Sequence, residues 1–184
     1  MKLPGWLHNL IHNRTEAESI ALRPDRVILT NTLLPAFAGF GRVLWIGCQA
    51  YTPPYYAMLE SGGGQCWTLD LNPDSAAWGR EGQHVTGDLT QADTLFESAF
   101  FDAIICNGIF GWGVNTPDER AKALAAMAAI LKPGGILLMG WNTHKTDRPV
   151  EMAAPWFSPA ELPGVPSHIT VTRSTHRYDL LLRA

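Results

Sequence analysis

Five short apolar runs, several of them separated by helical patterns, constrain the fold of this chain more than any other feature. Each run ends at a glycine or at a polar or aromatic residue, where a turn can begin. Continuous apolar runs of this length are typical of strands in a parallel sheet that is covered on both faces. The runs are Arg42–Gly47, Gln65–Asp70, His84–Asp88, Phe101–Asn107 and Gly135–Trp141.

The clearest helix is predicted between the fourth and fifth runs. Thr116 can cap it, Pro117 suits the first helical position, and Glu119 completes a capping box. Ala121–Leu131 supplies strong helix formers, and Lys132–Gly135 ends the helix. Shorter helices are predicted over Tyr55–Glu60 and Pro73–Gly79.

The C-terminal part of the chain has a different pattern. Ser167–Arg173 and Arg177–Arg183 alternate apolar and polar residues around Ser174-Thr175-His176, which predicts an antiparallel hairpin. Strands that alternate with helices indicate an open, doubly wound α/β sheet. We therefore predict one domain over residues 1–184, with a mostly parallel seven-stranded sheet and a helical or irregular lead-in over residues 1–41.

Composition excludes several function classes. The chain has 184 residues, a formal net charge of −3 and no run of Lys and Arg, so nucleic acid is not an expected partner. Its longest apolar stretch, Ala123–Leu131, is too short to span a bilayer, and Met1–Asn13 lacks the features of a signal peptide. Three cysteines without a CxxC pair argue against disulfides and zinc. A cytoplasmic location is expected, and a homodimer stays open.

Polar residues and glycines come at the ends of the first four runs. These are Gly47, Asp70, Asp88 and Asn107, the last followed by Gly108. Ligands of open α/β sheets bind outside the carboxyl ends of the strands. Asp70 also follows Gly47 by roughly 20 residues, a spacing that suits a carboxylate accepting hydrogen bonds from a ribose. Each of these residues alone could have a purely structural role. Four such residues at the same edge of one sheet favour a ligand site.

The chain resembles the class I S-adenosylmethionine (SAM)-dependent methyltransferases, as a divergent, compact member. The resemblance runs from about Arg42 to Trp141, and the C-terminal hairpin matches that family's last two strands. The matching segments are Val43–Cys48, Leu69–Asn72, Gly87–Leu89, Phe101–Ile105 and Leu131–Gly135.

The resemblance implies a Rossmann-like fold, SAM as the cofactor and a role for each matching residue. Gly47 and Cys48 would lie against the methionine part of SAM, and Asp70 would hold the ribose hydroxyls beside Leu71. Asp88 and Leu89 would recognise the adenine. Asn107 and Gly108 would border the methionine end and the substrate.

The turn after the first run departs from the family pattern. That pattern has an acidic residue followed by three spaced glycines, and the acid helps to orient the SAM ammonium group. Here Trp45 takes the acidic position, and Gln49 and Tyr51 replace the second and third glycines. Tyr51, Tyr55 or Tyr56 could supply negative potential to a cation through ring faces and hydroxyls. The alternative is that these rings only pack the turn.

Candidate general bases lie on the polar loop after the fifth run, where a substrate could bind. They are His144 and Asp147. No metal site is predicted: His8, His12 and Glu16 have a helical spacing that could hold a metal, but a solvated helix face explains them better.

Three functions compete. Methyl transfer to a small molecule is the leading hypothesis, because the sequence leaves little room for a domain that recognises a large substrate. The altered turn motivates two others: attack at another carbon of SAM, which would release methylthioadenosine, and a SAM-fold binding module without catalysis.

Overall fold

The fold was analysed on a computed structural model that describes residues 18–184. The metal-site spacing of His8, His12 and Glu16 lies outside the described residues. Among the described residues, no group of three His, Cys, Asp or Glu side chains is arranged to hold a metal ion. None of the helices in this range has the length and apolar character needed to cross a membrane.

One sheet organises the chain, with helices on both of its faces. Its strands are β1 (Arg42–Ile46), β2 (Gln65–Asp70), β3 (His84–Thr86), β4 (Phe101–Asn107), β5 (Leu131–Asn142), β6 (Phe157–Pro159), β7 (His168–Thr170) and β8 (His176–Arg183). The α-helices are α1 (Pro24–Ile28), α2 (Leu34–Phe37), α3 (Pro53–Glu60), α4 (Ala92–Leu95), α5 (Pro117–Ile130) and α6 (Pro149–Ala153). Leu29–Leu33 is π-helical, and Pro73–Trp78 and Leu89–Gln91 are 3-10 helices.

The strand order confirms the predicted doubly wound topology. The order is β3-β2-β1-β4-β5-β8-β6, with β7 paired to β8. The pairs from β3 to β5 are parallel, whereas β8 runs antiparallel to β5, β6 and β7. The sheet has eight strands and not the predicted seven, because β6 and β7 pair with different stretches of the same edge of β8.

Sequence patterns located most elements within a few residues. Thr116 and Glu119 form the predicted capping box of α5. Helix α3 begins at Pro53, two residues before the predicted start, because proline is favoured in the first helical turn. Strand β5 begins at Leu131, before the predicted Gly135, because Leu131 still pairs with Phe101 across an irregularity in the ladder.

The core lies in two layers, one on each face of the sheet. On one face, Leu44 and Ile46 of β1 pack in the cluster that includes Leu124 and Met127 of α5. On the other face, residues of β1 join a cluster that includes α2 and α3. This double coverage explains why the central strands read as continuous apolar runs.

Trp45 is the central residue of the second layer. Its side chain is 1% exposed, and its ring centroid lies 5.3 Å from that of Tyr55 and 6.2 Å from that of Tyr56. The indole Nε1 donates a hydrogen bond to the carbonyl oxygen of Gly47 over 2.7 Å. The residue in the family's acidic position therefore fills the core and also holds the turn that follows β1.

We expect the Trp45 side chain to contribute strongly to the free energy of unfolding. The acidic residue typical of the family should be destabilising at this position. Trp45→Asp should lower the free energy of unfolding by at least about 3 kcal/mol, because it leaves a cavity and buries a carboxylate. Trp45→Phe keeps a ring and loses the bond to Gly47, so a loss of about 1 kcal/mol or more is expected. Urea unfolding followed by circular dichroism measures both.

Trp112→Phe is the matched control, because Trp112 is 61% exposed. This variant should change the free energy of unfolding by less than about 0.5 kcal/mol. A Trp45→Asp protein as stable as the wild type would contradict this account of the turn.

Candidate active site

Two adjoining cavities lie at the carboxyl ends of the parallel strands. Their volumes are about 290 Å³ and about 540 Å³. Both are bordered by residues that follow β1 and β4, namely Gly47, Gln49, Gly108, Ile109 and Trp112. The smaller cavity extends toward β2 and β3, and the larger one toward β5, β8 and the start of α1.

The smaller cavity combines two carboxylates with apolar walls. Asp70, Leu71, Asp88 and Leu89 line it, so the structure brings these four predicted cofactor residues together. Its apolar lining also includes Ile46, Leu69, Ile109 and Val114. Such a cavity fits a flat, mostly apolar group that carries a few polar atoms at its edge.

Backbone hydrogen bonds hold the carboxylate of Asp70 in place. Its Oδ2 accepts from the N–H of Cys48 over 2.6 Å, and its Oδ1 accepts from the N–H of Asn72 over 2.8 Å. Each carboxylate oxygen can accept a further bond, so Asp70 keeps capacity for a ligand hydroxyl. Cys48 contributes here through its backbone, because its side chain is fully buried and burial raises the pKa of its thiol.

Asp88 has one oxygen committed to the protein and one available. Oδ1 accepts from the N–H of Thr90 over 2.8 Å and caps the 3-10 helix Leu89–Gln91. Among the described residues, none donates a hydrogen bond to Oδ2. Asp88 can therefore accept from an amino group at the end of the cavity nearest β3.

Two glycines let a ligand approach the backbone where the cavities meet. Gly47 has φ of +87° and Gly108 has φ of +73°, conformations that side chains disfavour. A Cβ on Gly47 would lie 2.8 Å from Cδ1 of Ile109, whereas the space around Gly108 is open. A larger residue at position 47 would therefore crowd the junction.

A chain of polar side chains lines the larger cavity. His176 Nε2 lies 3.0 Å from Asn107 Oδ1, and His176 Nδ1 lies 3.4 Å from Asn142 Oδ1. Asn142 Nδ2 donates to Thr175 Oγ1, which lies 3.0 Å from His144 Nδ1. These contacts bring side chains of β4, β5, β8 and the loop that carries His144 close together.

His176 fixes the orientation of the Asn107 amide. Burial lowers the pKa of His176 to about 4, so its imidazole is neutral near pH 7 and donates from one nitrogen only. Nε2 is the nitrogen closer to a neighbouring oxygen, so the tautomer protonated at Nε2 donates to Asn107 Oδ1. Nδ2 of Asn107 then remains a buried donor without a hydrogen-bond partner in the described part of the chain. Asn107 is 8% exposed and is part of the lining of the larger cavity.

Only some of the candidate bases and tyrosines line a cavity. His144 is exposed and lines the larger cavity, whereas Asp147 is exposed and lines neither cavity. Tyr51 also lines the larger cavity. The structure does not bring Tyr55 and Tyr56 into either cavity, because both are buried against Trp45.

Sequence reasoning did not single out several residues of the larger cavity. Asp25, Arg26 and His176 line it, although Asp25 and Arg26 were assigned to the lead-in and His176 to a hairpin turn. Only the register of β5 with β8 places His176 opposite Asn142, and thereby next to Asn107. No local pattern in the sequence carries that information.

Comparison with known proteins places this site in a family. A model of the methyltransferase domain matches residues 44–139, more than half of the chain. The ubiquinone/menaquinone biosynthesis C-methyltransferase UbiE of Bordetella parapertussis is 27% identical over 129 residues, which cover 67% of this chain and 48% of that protein. The chain thus spans about half the length of the curated relatives it matches.

Solved structures share the fold. The N-methyltransferase NodS of Bradyrhizobium japonicum WM9, in complex with S-adenosylhomocysteine, has a TM-score of 0.70 at 15% identity, over 90% of each chain. The 1,6-didemethyltoxoflavin-N1-methyltransferase of Burkholderia thailandensis has a TM-score of 0.58 at 17% identity, over 100% of this chain and 92% of that one. The chain therefore belongs to the methyltransferase-domain family, the class I SAM-dependent methyltransferases with a Rossmann-like fold.

Proposed function

We propose that this chain transfers the methyl group of SAM to a small-molecule acceptor bound in the larger cavity. The observation that carries the proposal is the junction of the two cavities at Gly47 and Gly108. The smaller cavity has the carboxylates and apolar walls that an adenosine needs. The larger one has polar hydrogen-bonding groups beyond the junction.

The residues of the smaller cavity fit the adenosine part of SAM. Asp70, held by two backbone N–H groups, accepts hydrogen bonds from the ribose hydroxyls. Asp88 accepts from the adenine amino group through its available Oδ2. Leu71 and Leu89 contact the flat faces of the base and ribose.

The chemistry asked of the chain is alignment and exclusion of water. SAM supplies a methyl carbon that is already activated by a sulfonium. Asn107 and Thr175 line the larger cavity, and their polar groups orient the acceptor toward the junction. His144, oriented by Thr175, removes a proton where the acceptor atom carries one.

Trp112 gives the acceptor an apolar contact at the mouth of the site. Its ring is 61% exposed, borders both cavities and has the Lys145 ammonium 4.2 Å from its centroid. An exposed indole at the mouth of a cavity favours a planar acceptor that can stack on it. The B. thailandensis enzyme is named for a methylation of 1,6-didemethyltoxoflavin, and UbiE for ubiquinone and menaquinone biosynthesis. Small acceptors in these relatives support the proposal.

The class of molecule that receives the methyl group can be determined with labelled SAM. The protein is incubated with methyl-tritiated SAM and a bacterial cell extract separated into small-molecule, RNA and protein fractions. Label should appear in the small-molecule fraction together with S-adenosylhomocysteine. Heat-inactivated protein is the control. Label in RNA or protein would contradict the small acceptor, and methylthioadenosine as the product would show that another carbon of SAM is attacked.

The carboxylates of Asp70 and Asp88 should contribute unequally to cofactor affinity. Asp70→Ala should weaken S-adenosylhomocysteine binding by about ten- to a hundredfold, because charge-assisted hydrogen bonds to the ribose are lost. Asp88→Ala should cost less, because backbone groups still recognise the adenine. Calorimetry measures both affinities, and Asp93→Asn, outside both cavities, is the control. Equal and negligible losses would mean that the ribose is placed wrongly.

The two candidate bases, His144 and Asp147, should differ in their effect on kcat. With an acceptor that loses a proton, His144→Gln should lower kcat by about a hundredfold or more and leave S-adenosylhomocysteine affinity near the wild-type value. Asp147→Asn, on the same loop, should lower kcat much less, because Asp147 lines neither cavity. A larger loss in Asp147→Asn would reverse the assignment.

A further inference from the structure

The amino-acid end of SAM is a zwitterion, with an ammonium and a carboxylate that both need partners once they leave water. The turn that follows β1 offers no charged side chain, because Trp45 is buried and Gln49 and Tyr51 are neutral. Charge at this end of the larger cavity comes instead from the segment that precedes the sheet. The charged residues among those lining the cavity there are Arg23, Asp25 and Arg26.

Asp25 and Arg26 form an incomplete ion pair. Arg26 Nε lies 3.5 Å from Asp25 Oδ2, and the side chains are 14% and 13% exposed. Nε of Arg26 has no hydrogen-bond partner among the described residues. The guanidinium also lies 5.3 Å from the centroid of the Tyr51 ring. Two largely buried, opposite charges thus lie side by side in the lining of the larger cavity.

The rest of the fold fixes the backbone of this pair. The hydroxyl of Tyr178 on β8 donates to the carbonyl oxygen of Asp25 over 3.0 Å, and Tyr178 is fully buried. The hydroxyl of Thr30 donates to the carbonyl oxygen of Arg26 over 2.9 Å. Because these hydrogen bonds fix the backbone, the side chains of Asp25 and Arg26 have a defined position.

We infer that Asp25 and Arg26 bind the amino-acid end of SAM, with the Asp25 carboxylate on the ammonium and the Arg26 guanidinium on the carboxylate. The inference rests on the proposed function, because it uses the same cavity. Both residues lie outside residues 44–139, the part of the chain that the family model matches. Recognition of the methionine part is thereby moved from the β1 turn to the chain segment before the sheet.

The test compares ligands that differ only at that end. S-adenosylhomocysteine carries the amino acid, whereas 5′-methylthioadenosine lacks it and keeps the adenosine. Calorimetry on Asp25→Asn and Arg26→Gln should show S-adenosylhomocysteine affinity lower by about ten- to a hundredfold. Affinity for methylthioadenosine should stay within about twofold of the wild-type value, which also shows that each variant is folded. The control is Asp118→Asn, an exposed carboxylate paired with Lys122 on α5.

Decarboxylated SAM assigns the two partners separately. This ligand keeps the ammonium and lacks the carboxylate, so Asp25→Asn should weaken its binding and Arg26→Gln should not. Unchanged S-adenosylhomocysteine affinity in both variants would overturn the inference, and so would equal losses for S-adenosylhomocysteine and methylthioadenosine. Wild-type protein that binds none of the three ligands would instead overturn the proposed function.

Discussion

The hydrogen bond from the Trp45 indole to the Gly47 carbonyl joins the core to the cofactor edge. Trp45 packs on Tyr55 and Tyr56 below the sheet edge, and the bonded turn directs the N–H of Cys48 to Asp70. A flexible glycine turn would need no such contact. Here a large buried ring determines the conformation of the turn, so packing and ligand geometry depend on the same residue.

That arrangement changes how charge is distributed around the site. A carboxylate on β1 would have to replace a fully packed indole, at a cost in both packing and desolvation. The chain instead has neutral side chains in the turn after β1, carboxylates at the end of β2 and after β3, and a charged pair in α1. The acceptor end is formed by polar side chains from Asn107 to His144, where the buried His176 stays uncharged because burial lowers its pKa to about 4.

The sheet could be predicted from the sequence because the apolar pattern of each strand agrees with the burial of both faces of the sheet. Continuous apolar runs locate β1 to β5, and the capping residues locate α5. The register of Gly47, Asp70, Asp88 and Asn107 follows from parallel strands that end at one edge. His176 and Asp25 could not be predicted, because their positions depend on the pairing of β8 with β5 and on a bond between Tyr178 and a residue far away in the chain. The tyrosines show the opposite case, since only packing decides that Tyr51 faces the cavity while Tyr55 is buried.

A crystal structure of this protein with S-adenosylhomocysteine would show how the ligand lies across the two cavities. We expect the adenine beside Asp88, the ribose hydroxyls on Asp70, and the thioether sulfur at the junction between Gly47 and Gly108. The amino-acid end should lie between Asp25 and Arg26, which leaves the side of the larger cavity around Asn107 and His144 free for the acceptor. Ligand density elsewhere, or an adenosine that reaches into the larger cavity, would contradict this placement.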